Sequence, residues 1–127
     1  MIIIPIIIVL MALIGWIWWG NGALETTHYA VSSSRLPEAF DGYTIAHVSD
    51  LHNAQFGEAN QDLIQALQSS QPDIIAITGD LVDSRHTDIS VAVQFAREAA
   101  QIAPVYYVSG NHEARIVEYA QLKKQLL

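Results

Sequence analysis

Beyond residue 40 the chain alternates between short apolar runs and longer amphipathic segments. Three runs rich in β-branched and aromatic residues predict buried strands over residues 43–49, 73–78 and 105–108. Apolar positions three and four apart predict helices over residues 60–70 and 89–103, and the pattern of residues 114–127 is also helical. The order is βαβαβα, with roughly 30 residues per unit. It predicts an α/β fold with parallel strands and right-handed crossovers.

The amino-terminal part of the chain has a different pattern. Residues 2–19 are almost unbroken apolar sequence, and as a helix they would span roughly 27 Å, close to the hydrocarbon core of a bilayer. Trp16, Trp18 and Trp19 crowd one end, as is typical at a membrane interface. We therefore predict a single-pass transmembrane anchor over residues 1–20 and a membrane localisation, with the side of the membrane left open. A cleaved signal peptide is the alternative, although no Lys or Arg precedes the run.

The remainder, residues 21–127, has room for one domain. Its Thr- and Ser-rich start, residues 26–34, predicts an edge strand. The formal net charge of the whole chain is −7 with six Lys and Arg, which argues against nucleic acid as the main partner. No cysteine is present, and this excludes disulfides, thiolate zinc ligands and cysteine nucleophiles. The composition leaves the oligomeric state open.

Polar side chains follow each of the three predicted strands, at Asp50 and His52, at Asp80, and at Asn111 and His112. Because the carboxyl ends of parallel strands meet at one edge, we expect these side chains to form one site. In an extended segment Asp50 and His52 would face the same way. Carboxylate, imidazole and amide oxygen suit Mn²⁺, Fe or Zn²⁺, and Mg²⁺ is a further option. Two such ions, bridged by Asp80, would clamp a phosphoryl group, and His112 would protonate a leaving oxygen or stabilise the equatorial oxygens.

Three motifs resemble those of the calcineurin-like metallophosphoesterases, which read D-x-H, G-D-x-x-D and G-N-H-D/E. The matching segments are Asp50-Leu51-His52, Gly79-Asp80-Leu81-Val82-Asp83 and Gly110-Asn111-His112-Glu113. The chain resembles in particular the membrane-anchored bacterial branch, which includes phosphodiesterases and UDP-2,3-diacylglucosamine hydrolase-type enzymes. The resemblance implies a four-layer αββα sandwich, of which residues 21–127 would form the first half.

The resemblance also implies a role for each matching residue. Asp50 and His52 would bind the first of two divalent ions, Asp80 would bridge both, and Asn111 would bind the second. His112 would be the catalytic acid or a charge stabiliser close to the substrate. The remaining two acidic residues of the motifs would orient ligands or brace the loops, and these are Asp83 and Glu113.

The chain also departs from the family pattern. Family members continue with another histidine and a G-H-x-H motif, whereas no histidine follows His112 here. The first ion would keep three protein ligands and the second, incomplete site only two. We therefore expect a chain truncated at its carboxyl end that does not hold two metals or turn over substrate unaided. One apolar face of its sheet would have nothing to cover it.

The resulting functional prediction is a membrane-anchored, metal-dependent phosphoesterase, present as an incomplete chain. Metal-bound hydroxide would attack a phosphodiester or phosphomonoester, and membrane contact through residues 2–19 allows a lipid-linked substrate. The alternative is a non-catalytic, membrane-bound half-domain that acts through protein interaction. A doubly wound Mg²⁺-binding domain of another family is a third option, but it would not need the Gly-Asn-His-Glu segment.

Overall fold

The computed structural model describes residues 3–127, apart from the side chains of residues 18, 19 and 21. Its α-helices are α1 (Ile3–Gly22), α2 (Gln61–Ser70), α3 (Ile89–Ala99) and α4 (Tyr119–Leu126). Its strands are β1 (Ile45–Val48), β2 (Ile74–Ile77) and β3 (Val105–Tyr107). Short 3-10 helices lie at Glu38–Phe40, Glu58–Asn60 and Glu113–Arg115.

The three strands form one parallel sheet in the order β1-β2-β3. Ile45 of β1 lies opposite Ile74 of β2, and Ile75 lies opposite Val105 of β3. α2 connects the first two strands and α3 connects the second pair, so the predicted βαβαβα order is confirmed. Because all strands run the same way, the loops that follow them meet at one edge of the sheet.

The core lies between one face of this sheet and the helices α2, α3 and α4. Ile75 and Ile77 of β2 are fully buried, as is Phe95 on the apolar stripe of α3. Side chains alternate between the faces of a strand, so the neighbouring positions point the other way. On that second face Ile45 is 58% exposed and Tyr106 62% exposed. The expectation of an uncovered apolar sheet face is therefore confirmed.

The amino-terminal run is helical, as α1, but its predicted relation to a membrane is contradicted. Within the described part of the chain, no helix is both long enough and apolar enough to cross a membrane. The predicted membrane localisation is therefore wrong. The proposed interface cluster of tryptophans includes residues 18 and 19, whose side chains lie outside the described residues.

Two other predicted elements differ from the structure. The predicted edge strand over residues 26–34 is absent, because its side chains find no face to pack on, with Tyr29 87% and Val31 84% exposed. α3 ends at Ala99, four residues before the predicted position. The chain tightens there, since the Ile102 N–H donates to the Ala99 carbonyl at 3.0 Å. Pro104 follows, and the residue before a proline disfavours helical backbone angles.

Candidate metal centre

The loops that follow β1 and β2 lie side by side at the carboxyl edge of the sheet. The Asp50 N–H donates to the Gly79 carbonyl at 3.1 Å, and the His52 N–H donates to the Asp80 carbonyl at 2.8 Å. Backbone pairing thus continues beyond the strands themselves. It brings the Asp50-Leu51-His52 segment next to Asp80, as the sequence predicted for neighbouring strand ends.

The backbone at these positions is unusual. Asp50, His52 and Asp80 have φ angles of 54°, 47° and 53°, in the left-handed region that residues other than glycine rarely adopt. Such conformations cost roughly 1–3 kcal/mol each and cluster at functional sites. The expectation of an extended segment was therefore wrong. Asp50 and His52 approach each other, with 3.7 Å between Oδ1 and Nε2, because the chain turns at each of them.

Three of the predicted site residues form a compact group. Ligand atoms of His52, Asp80 and His112 all lie within 4.8 Å of one another. Asp80 is buried, and its Oδ1 accepts the His112 N–H at 2.8 Å. Its second carboxylate oxygen receives no hydrogen bond from the residues the structure describes, which leaves an acceptor for a cation. Imidazole and carboxylate together fit Mn²⁺, Fe or Zn²⁺.

The His112 ring has one nitrogen already engaged. Its Nδ1 lies 3.0 Å from the Ser84 backbone N–H, which can only donate. Nδ1 is therefore the acceptor, and the proton of the neutral ring is assigned to Nε2. The ring also lies edge-on to His52, with centroids 4.3 Å apart. In this tautomer Nε2 is a hydrogen-bond donor, and it binds a cation only after losing that proton.

Asp83 supplies a negative charge next to His112. Its Oδ1 is 3.6 Å from His112 Nδ1 and accepts the Arg85 N–H at 2.8 Å. The hydrogen bond from the Arg85 N–H lowers the pKa of the Asp83 carboxyl, desolvation opposes this effect, and the nearby charges of His112 and Arg85 lower the pKa further. Asp83 is therefore a carboxylate at neutral pH.

Glu113 connects the loop that follows β2 to the loop that follows β3. Its side chain is fully buried, and its carboxylate accepts the N–H groups of Asp80 at 2.9 Å, Gly110 at 2.8 Å and Val82 at 3.3 Å. The two loops touch closely, since a Cβ added to Gly79 would lie 2.6 Å from the Gly110 backbone. Gly79 also has a φ of 97°, which favours glycine. Glu113 thus sets the position of the Asp80 backbone.

Asp50 and Asn111 lie outside this compact group. The Asp50 side chain is 66% exposed and contacts His52. Asn111 is exposed in the loop between Gly110 and His112. Their assignment as metal ligands stays a prediction, and so do the roles predicted for His52, Asp80 and His112.

Asn53 is a residue of this region that the sequence did not single out. Its Oδ1 accepts the Asp83 N–H at 2.6 Å, and its Nδ2 donates to the Asp88 carbonyl at 2.5 Å. Its φ is 60°. The one available signal was an asparagine directly after D-x-H, because asparagine tolerates left-handed turns and bonds to nearby backbone.

The fold and the site together define an α/β domain with a candidate metal centre at the carboxyl edge of a parallel sheet. The family model of the calcineurin-like phosphoesterases matches residues 43–126. The chain therefore belongs to this family, as its motifs predicted.

Curated relatives carry the same domain name. The chain is 36% identical over 66 residues to an uncharacterized metallophosphoesterase, YkuE, of Bacillus subtilis, a match that covers 50% of this chain and 23% of that protein. It is 30% identical over 89 residues to a transmembrane protein with metallophosphoesterase domain of Bos taurus, with coverages of 68% and 20%. A protein of the same name from Danio rerio is 27% identical over 81 residues, with coverages of 62% and 18%. The chain thus spans about a fifth of the length of these relatives, and no solved structure matches it.

Proposed function

We propose that this chain carries the metal-binding half of a phosphoester hydrolase, with Asp50, His52, Asp80 and Asn111 as ligands of divalent ions. The observation that supports this most is the convergence of His52, Asp80 and His112 within 4.8 Å at the carboxyl edge of the sheet. Membership of the calcineurin-like family supports the reaction type. Mn²⁺, Fe and Zn²⁺ are the ions that the donor set favours.

The bound ion would supply Lewis acidity, which neutralises phosphoryl charge and makes water a nucleophile near neutral pH. The residues of the chain would orient the ligands and supply a proton. Asp80 is oriented by the His112 N–H, which donates to one carboxylate oxygen, and its other oxygen would hold the ion. His112, held by the Ser84 N–H, presents a protonated Nε2 that can donate to a leaving oxygen. The Asp83 carboxylate lies beside the ring, with its Oδ1 3.6 Å from His112 Nδ1.

The substrate proposed is a phosphodiester or a phosphomonoester. A second ion, shared through Asp80, is a further part of the proposal. The proposed lipid linkage depended on the predicted membrane anchor and is not retained. Two of the curated relatives bear names that combine a transmembrane protein with a metallophosphoesterase domain, and that description applies to those proteins.

Binding of Mn²⁺ to the full chain, measured by isothermal titration calorimetry, tests the metal site. We expect at least one ion per chain. We also expect Asp80→Asn to weaken Mn²⁺ binding at least tenfold, because replacing even a residue that only supports a metal ligand typically lowers metal affinity by about 10–100-fold. Asp62→Asn is the matched control, since Asp62 is an exposed acid in the first turn of α2. Equal Mn²⁺ affinity in the wild type and Asp80→Asn would contradict the site.

Hydrolysis of bis(4-nitrophenyl) phosphate with and without Mn²⁺ then tests the reaction. Activity that requires Mn²⁺ and is lost in Asp80→Asn supports the proposed hydrolase. Mn²⁺ binding without hydrolysis would reject catalysis by this chain. That outcome agrees with the expectation that this chain does not turn over substrate unaided, and it also fits the non-catalytic alternative, to which the uncovered apolar face of the sheet points.

A further inference from the structure

The segment from Asp83 to Asp88 borders the candidate site at His112, and its shape is held by its own hydrogen bonds. Asp83 Oδ1 accepts the Arg85 N–H at 2.8 Å, and the Thr87 hydroxyl donates to the Asp83 carbonyl at 3.0 Å. Asp88 caps α3 by accepting the Ser90 N–H at 2.9 Å. These bonds lie within the segment or run to the helix that follows it. These bonds define the conformation of the segment, but they do not fix its position relative to the D-x-H loop.

The Asn53 side chain connects the two ends of this segment to the D-x-H loop. Its Oδ1 accepts the N–H of the first residue, Asp83, at 2.6 Å, and its Nδ2 donates to the carbonyl of the last residue, Asp88, at 2.5 Å. The Asn53 backbone is itself fixed, because its N–H donates to the Leu81 carbonyl at 2.9 Å. The Asn53 amide thus holds both ends of the segment against the D-x-H loop, because Asn53 directly follows His52.

The clamp lies one residue away from the contact that orients His112. Asp83, held by Asn53, is followed by Ser84, whose N–H donates to His112 Nδ1 at 3.0 Å. A displacement of Asp83 would therefore move the Ser84 N–H relative to the ring. Since that N–H selects which ring nitrogen carries the proton, its position determines whether Nε2 is a donor.

We propose that Asn53 is a positioning residue that couples the D-x-H loop to His112 through the 83–88 segment. Asparagine suits this position because the side chain must both accept and donate a hydrogen bond and the backbone must adopt a positive φ. Its short amide offers one acceptor and one donor together, and it tolerates the left-handed φ of 60° better than most residues. The importance of the coupling for hydrolysis rests on the proposed function, but the coupling itself does not.

Three variants of the full chain separate the side chain from the backbone. Asn53→Gly removes both hydrogen bonds and remains compatible with positive φ. Asn53→Asp keeps the acceptor for the Asp83 N–H but replaces the donor with an oxygen that faces the Asp88 carbonyl. The matched control is Asn60→Gly, because Asn60 also has a left-handed φ, of 64°, and accepts a backbone N–H, from Phe56, but has no bond to the 83–88 segment.

The readouts are amide hydrogen exchange and the imidazole ¹⁵N spectrum at a pH where the ring is neutral, without metal or substrate. In Asn53→Gly we expect the Asp83 and Ser84 amides to exchange about tenfold faster and the His112 spectrum to shift from the Nε2–H tautomer toward a mixture. Asn53→Asp should stay within about threefold of wild type at Asp83 and Ser84, because the acceptor is kept. Amides of β2 report that the fold is intact in each variant.

Unchanged Ser84 exchange and an unchanged His112 tautomer in folded Asn53→Gly would overturn the proposal. The same holds if Asn60→Gly, with β2 protected, changes His112 as much as Asn53→Gly does. Neither measurement involves Mn²⁺ or a phosphoester. Failure of the coupling is thus distinguishable from failure of the proposed function, which the Mn²⁺ titration alone decides.

Discussion

Replacing Glu113 with alanine removes the acceptor of three backbone N–H groups in a fully buried position. Two of the bonds are short, at 2.9 Å from Asp80 and 2.8 Å from Gly110, whereas the one from Val82 is 3.3 Å long. Hydrogen bonds to a charged acceptor contribute about 1.5–3 kcal/mol each, and an unsatisfied buried donor costs a similar amount. Counting only the two short bonds, we expect Glu113→Ala to lower the free energy of unfolding by about 3–6 kcal/mol.

A loss of this size is large for a small domain, whose total stability is on the order of 5–15 kcal/mol. Glu113→Gln tests the contribution of charge and acceptor number. Both short bonds end on the same oxygen, Oε2, so the amide oxygen can keep them. Its NH₂ group would then face the Val82 N–H in place of Oε1, so the 3.3 Å bond is lost and two donors oppose each other. We expect a loss of about 1–3 kcal/mol for this variant.

Urea unfolding of the full chain, followed by far-ultraviolet circular dichroism, measures both losses. The matched control is Glu118→Ala, because Glu118 is exposed and its side chain makes no cap hydrogen bond. That control should change stability by no more than about 0.5 kcal/mol. A loss below about 1 kcal/mol in Glu113→Ala would refute the argument that this carboxylate holds the loops together.

Two further substitutions test individual polar groups. The Tyr107 hydroxyl is buried without a hydrogen-bond partner among the described residues, and burial, aided by the Glu113 charge, raises the pKa of Tyr107. Tyr107→Phe should therefore stabilise the chain by up to about 1 kcal/mol, and a lower melting temperature of the variant would contradict this. Hydrogen bonds from the Ser90 hydroxyl and N–H lower the pKa of the Asp88 carboxyl below its usual value of 3.8. The charged carboxylate therefore stabilises the fold above pH 3.8, and this contribution is lost as the pH falls through the lowered pKa. Asp88→Asn should flatten the dependence of the urea midpoint on pH below about 4, and an unchanged slope would count against the assignment.

The sequence by itself determined the order of elements and the chemistry available at the strand ends. The apolar runs before Asp50, Asp80 and Asn111 are short and β-branched, so they predicted buried strands, and the amphipathic segments between them predicted crossover helices. Three motifs in the right order then predicted the family, which the match over residues 43–126 confirms. These features are local, and a local pattern of side chains is sufficient to recognise them.

Local patterns failed where an element needed a distant partner or a specific length. Residues 26–34 alternate like an edge strand, but nothing in the described structure pairs with them. The amino-terminal run is apolar and helical, yet no described helix is long and apolar enough to cross a membrane. Periodicity reports which face of a segment is apolar, and it does not report what that face packs against.

Only the tertiary structure decided how the site is built. Glu113 reaches the Asp80 N–H across 33 residues of sequence, Asn53 reaches Asp83 across 30, and Ser84 reaches His112 across 28. Each contact depends on the register of β1, β2 and β3 and on left-handed turns that allow loops to approach within hydrogen-bond distance. Since a hydrogen bond requires positions accurate to a few tenths of an ångström, no spacing along the chain could have specified these partners.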